Sequence, residues 1–127
     1  MGTTVLGELI RVGPIEVRFR LEAPQTAGTL TMFEFVVPRG ARLPAPHSHD
    51  AFDETVYGLE ARNCWTVDGR TIDVGPGDVL FIRRGSVHQF ENRGTVDAPS
   101  CSATASAQFR RRHKRRPVRV ACLRTRA

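Results

Sequence analysis

Apolar and polar residues alternate along the early part of this chain with the period of a strand. Ile15, Val17, Phe19 and Leu21 interleave with Glu16, Arg18, Arg20 and Glu22, the pattern of a strand with one wet face. The run Leu30–Val37 is apolar on both faces and predicts a strand covered on both sides. Asp68-Gly69 separates Cys64-Trp65-Thr66-Val67 from Arg70-Thr71-Ile72-Asp73-Val74, and an Asp-Gly pair between two such runs predicts a two-residue hairpin. Gly75-Pro76-Gly77-Asp78 predicts a turn into Val79-Leu80-Phe81-Ile82, and Arg83-Arg84-Gly85 a second turn before His88. No helix is expected before residue 100, and no internal repeat is present. Many short strands punctuated by Gly and Pro predict an all-β sandwich or barrel.

The candidate chemistry lies in two segments of this pattern. His47-Ser48-His49 is followed by Glu54, and His88 stands alone in Val87-His88-Gln89-Phe90. Histidine and carboxylate are the usual ligands of a borderline divalent metal. Strand alternation sends His47 and His49 the same way, and a bend over residues 50–53 lets Glu54 face them from the next strand. Only a closed or sandwiched sheet would carry His88 alongside the other three. Any one of these side chains taken singly is more often a surface or hydrogen-bonded residue than a ligand.

Taken together, the two segments resemble a known family. Gly40, His47, His49, Glu54 and Ala61, followed by the stretch from Gly77 through Pro-lacking Arg83 to His88 and Asn92, are similar in order and spacing to the two motifs of the cupins. The resemblance covers about residues 28–94 and implies a small single-domain, cupin-type jelly-roll β-barrel. It implies His47, His49, Glu54 and His88 as ligands of one divalent transition metal, with iron, manganese, nickel, zinc or copper all chemically possible. Two positions depart from the family pattern: Ala61 stands where glycine is usual and Arg83 where proline is usual. Neither departure removes a ligand.

Composition and charge then bound the rest. A chain of 127 residues suits one modest core. No apolar run approaches a membrane span and the N-terminus lacks a signal pattern, so a cytoplasmic location is the default expectation. Cys64, Cys101 and Cys122 are odd in number and widely spaced, which indicates neither a disulfide framework nor a zinc knuckle. Residues 1–97 hold ten arginines against thirteen acidic residues, whereas residues 98–127 hold nine basic residues and no acid. A barrel domain over 1–97 and an atypical basic tail over 98–127 are therefore expected, with residues 118–123 as a candidate last strand. The basic run at 110–116 attracts phosphates but carries no recognition motif, so nucleic-acid binding ranks last among the functional readings.

The resemblance implies a metal-dependent enzyme acting on a small oxygenated or aromatic molecule, dioxygenase-like in the manner of the quercetin-cleaving cupins. Isomerase or lyase chemistry and a noncatalytic metal- or metabolite-binding module share the scaffold. Glu54 is a ligand that could also act as a base. Phe33, Phe35, Trp65, Phe81 and Phe90 are candidates for an apolar pocket wall. Alternation places Tyr57 and Leu59 on the face opposite Glu54, and an apolar outer face predicts a homodimer.

Overall fold

The computed structural model describes residues 8–43 and 45–106. Nine strands form two sheets: β1 (Leu9–Val12), β2 (Ile15–Leu21), β3 (Leu30–Val37), β4 (Phe52–Gly58), β5 (Asn63–Val67), β6 (Arg70–Val74), β7 (Val79–Ile82), β8 (His88–Glu91) and β9 (Ala98–Ser106). A six-stranded sheet has the order β1-β2-β3-β9-β4-β7, and a three-stranded sheet has the order β6-β5-β8. All described pairings are antiparallel, giving the all-β cupin fold. One element was not expected: a single helical turn, α1 (Ala23–Thr26), links β2 to β3. Thr26 ties the end of this turn to β3, its hydroxyl donating to the carbonyl of Leu30 at 2.7 Å. No helix among the described residues is long and apolar enough to cross a membrane.

The alternating pattern holds at the start of β2 and is interrupted by a register shift between Phe19 and Leu21. β3 is covered on one face only, with the Glu34 side chain 43% exposed. Ile15 and Val17 of β2 are buried, as are Phe35 and Val37 of β3 and Val56 of β4, and they meet Trp65, Val74, Leu80 and Ile82 in one core. Each fully buried side chain of this size contributes about 1.5–3 kcal/mol from the apolar area it removes from water. The Asp68-Gly69 hairpin forms with both residues at positive φ, 47° and 78°, as a type I′ turn requires. Gly58 lies against the following turn so closely that an added Cβ would meet the Gly75 carbonyl oxygen.

The boundary expected after Asp97 is corrected by β9. Residues 98–106 pair with β3 along one edge and β4 along the other, so the strand is interior to the larger sheet. Its lack of bulky side chains suits its place. Ala98, Ser100 and Ser102 point inward, are buried, and sit beside Val37, Phe35 and Phe33 across the β3 pairing. Small residues there leave room for those large neighbours in a barrel of limited width. The candidate strand at 118–123 and the basic run at 110–116 lie outside the described residues.

Candidate metal centre

His47 and His49 do not sit on a strand, as alternation alone would have it. Residues 40–43 and 45–47 instead run beside β8 as an irregular segment, with antiparallel bridges at Arg42 and His47. Gly40 N–H donates to the Asn92 carbonyl, Leu43 N–H to that of Phe90, and His47 and His88 exchange both backbone bonds at 2.9 and 2.8 Å. This lacing sets the His47 ring 4.2 Å from the His88 ring, centroid to centroid. The turn before β8 is fastened to the other motif twice. Gly85 N–H donates to the His49 carbonyl at 2.8 Å, and Arg84 N–H donates to the buried Asp53 carboxylate at 3.0 Å. Phe52 stacks on the His49 ring at 4.5 Å and holds its plane.

Glu54 comes from β4, on the inner face of the six-stranded sheet, opposite Thr104 of β9 and Ile82 of β7. Its Oε2 lies 3.3 Å from His88 Nε2 and 4.0 Å from His49 Nε2. Its Oε1 accepts a 2.7 Å hydrogen bond from Ser102 Oγ. Ligand atoms of His47, His49 and His88 all lie within 4.8 Å of one another. The structure thus brings all four expected residues to one place.

The donor set fits a metal in detail. His88 is 2% exposed, and its Nδ1 is 2.9 Å from the Ser86 carbonyl oxygen, which assigns the ring proton to Nδ1. Its Nε2 is buried and faces Glu54 Oε2 at 3.3 Å, an ion-pair contact in place of a well-formed hydrogen bond. Three imidazoles and a carboxylate converging in this way could hold a cation. Burial pushes His47 and His49 below the usual imidazole range. The neighbouring histidines add to this for both rings, while Glu54 works against it. Both rings are accordingly neutral and able to ligate near pH 7. For Glu54, burial alone would raise the carboxyl, but His88, Ser102 and His49 outweigh it and hold it ionised. For His88, burial alone would lower the ring, but Glu54 and the Ser86 carbonyl outweigh it.

The expected pocket aromatics divide. Trp65 and Phe35 are buried, with the Trp65 ring nearly parallel to His88 at 6.3 Å, and Phe33 and Phe90 pack against them. Phe81 is corrected: Leu80 and Ile82 take the inward positions of β7, so alternation turns Phe81 outward, 39% exposed. Four residues that the motif pattern did not single out support the centre: Asp53, Phe52, Ser86 and Ser102. Only Asp53 carried a signal in the sequence, as an acid beside a candidate ligand.

Residues 33–99 match the family model described as Cupin domain. Over 53 residues the chain is 36% identical to quercetin 2,3-dioxygenase of Bacillus subtilis (strain 168). That match covers 42% of this chain but only 15% of the relative's length. Among solved structures, a predicted oxalate decarboxylase from Thermotoga maritima is 21% identical, with 80% of this chain and 93% of that chain covered and a TM-score of 0.72. The polyketide cyclase RemF from Streptomyces resistomycificus is 25% identical, with 83% and 80% covered and a TM-score of 0.71. With more than half of its residues matched and the two ligand-bearing segments folded together in this way, the chain belongs to the cupin family.

Proposed function

We propose that His47, His49, Glu54 and His88 hold one divalent transition metal and that the protein is a metal-dependent enzyme acting on a small oxygenated or aromatic molecule, with dioxygenase-like chemistry. The observation that carries this reading is the convergence of ligand atoms from three imidazoles within 4.8 Å, with Glu54 Oε2 3.3 Å from the buried Nε2 of His88. A metal in this site supplies Lewis acidity toward a carbonyl or enolate oxygen and, when redox-active, electron transfer to dioxygen. The residues of the chain do the rest. Ser86 fixes the His88 tautomer, Phe52 orients His49, and Trp65, backed by Phe35 and Phe90, lies beside the buried His88 ring. If Glu54 leaves the ion, its Oε2 is the atom at which a proton from a substrate hydroxyl would be accepted. The partial match to quercetin 2,3-dioxygenase supports the oxygenase assignment within the wider range of cupin chemistries.

Elemental analysis of wild type, His49→Ala and His88→Ala tests the site. About one ion per chain in the wild type and loss in both variants is expected; equal metal in all three removes the site. Reconstitution with iron, manganese, nickel, zinc or copper, followed by oxygen uptake on a panel of enolic and phenolic compounds, tests the reaction. Binding of such compounds without turnover by any metal form would identify a noncatalytic module.

The same fold supports a homodimer. Tyr57 and Phe81 stand on neighbouring strands of the outer face, 46% and 39% exposed, with Leu59 nearby at 38%. Burying such a face in a second copy removes apolar area from water. Light scattering at tens of micromolar should report a dimer in the wild type and a monomer for Tyr57→Arg. A monomeric wild type would exclude the assembly.

A further inference from the structure

Ser102 is fully buried in β9, outside the stretch that the family model matches, and its hydroxyl donates to Glu54 Oε1 at 2.7 Å. Register explains the contact. Ser102 pairs with Val56 and Glu54 pairs with Thr104, so Ser102 and Glu54 are diagonal neighbours on the inner face. Such neighbours stand roughly 7–8 Å apart at Cα, a gap that a glutamate side chain can bridge to a short hydroxyl. Ser102 has a single donor proton, and it is committed to this carboxylate.

We infer that Ser102 is the positioning residue of the centre: by occupying Glu54 Oε1 it presents Oε2 alone to the metal. This rests on the proposed metal site. One oxygen of Glu54 is then held away from the ion by a charge-assisted bond, while the other faces His49 and His88. A carboxylate bound through one oxygen takes one coordination position and leaves another for substrate. Without the Ser102 hydroxyl, Oε1 is a buried acceptor with no donor and is free to turn toward the ion. A purely structural serine would matter to stability and leave the coordination unchanged.

Cobalt(II) titration of wild type, Ser102→Ala and Ser102→Thr, each checked for folding by circular dichroism, separates these roles. Loss of a group that orients a ligand typically weakens metal binding about 10- to 100-fold. Ser102→Ala is expected to show that loss together with an altered visible cobalt spectrum, and Ser102→Thr, which retains the hydroxyl, to return close to wild type. Equal affinity and an unchanged spectrum in Ser102→Ala overturn the role of Ser102 while leaving the metal site standing, as does equally weak binding by both folded variants. No cobalt binding by the wild type overturns both. The wild type supplies a second reading that needs no Ser102 variant. The infrared carboxylate stretches that change on cobalt binding, assigned by their absence in Glu54→Gln, should show the wide splitting of a carboxylate bound through one oxygen. The narrow splitting of a two-oxygen mode overturns the inference.

Discussion

His47 and His88 are joined through their backbones before any side chain is considered, each N–H donating to the other's carbonyl at 2.9 and 2.8 Å. The two segments that carry the candidate ligands are therefore held together by backbone hydrogen bonds. A cation that binds the candidate site in the folded chain stabilises it by mass action. At one hundred times its dissociation constant the gain is about 2.7 kcal/mol, equivalent to a rise in Tm of about 10 °C for a domain of this size. Melting curves with cobalt(II) and then with excess chelator check this. An unchanged Tm in both conditions would argue against binding.

β9 is hydrogen-bonded along both edges and carries Ser102, so removing it opens the larger sheet at its centre. A chain ending at Asp97 should lose cooperative thermal unfolding and bind no cobalt. A sharp melting transition with retained metal in that truncation would mean that β3 and β4 are held apart correctly without β9.

Ala61 adopts φ 54°, in the left-handed region. That conformation costs a residue with a Cβ roughly 1–2 kcal/mol, and the greater freedom of glycine in the unfolded chain returns about 0.4–1 kcal/mol of this. Ala61→Gly should accordingly stabilise the protein by about 0.5–1 kcal/mol, read as a rise in Tm of several degrees. A lower Tm would show that the Ala61 methyl makes a contact worth more than the strain.

Burial pushes the Cys64 thiol up against the opposing effect of Arg93, and burial together with Glu34 pushes Cys101 up. Fewer thiolates form at a given pH, and the thiolate is the reactive species. At pH 8 both should react with iodoacetamide roughly tenfold or more slowly than in the urea-unfolded chain, with rates rising as pH increases. Peptide-resolved mass spectrometry gives the two rates separately. Rapid native labelling of Cys64 would contradict its buried position.

The periodicities of the chain determined much of this protein on their own. The existence of β2 and β3 and the Asp68-Gly69 turn follow from local rules, because strand pleat and turn handedness depend on neighbours in sequence. The candidate ligands His47, His49, Glu54 and His88 were legible as a group from residue type and order, and the fold brings them together. Tertiary structure decided what the local rules could not. Ala98 to Ala105 has too few bulky side chains to announce a strand, yet those small side chains fit the interior between β3 and β4. Phe81 looked like a wall of the site until pairing with β4 set which face of β7 turned inward. Ser102 reaches Glu54 across 48 residues of sequence, a contact that only sheet register creates. Ligand identity is a property of side-chain chemistry, whereas the aim of a ligand is a property of whatever the fold places beside it.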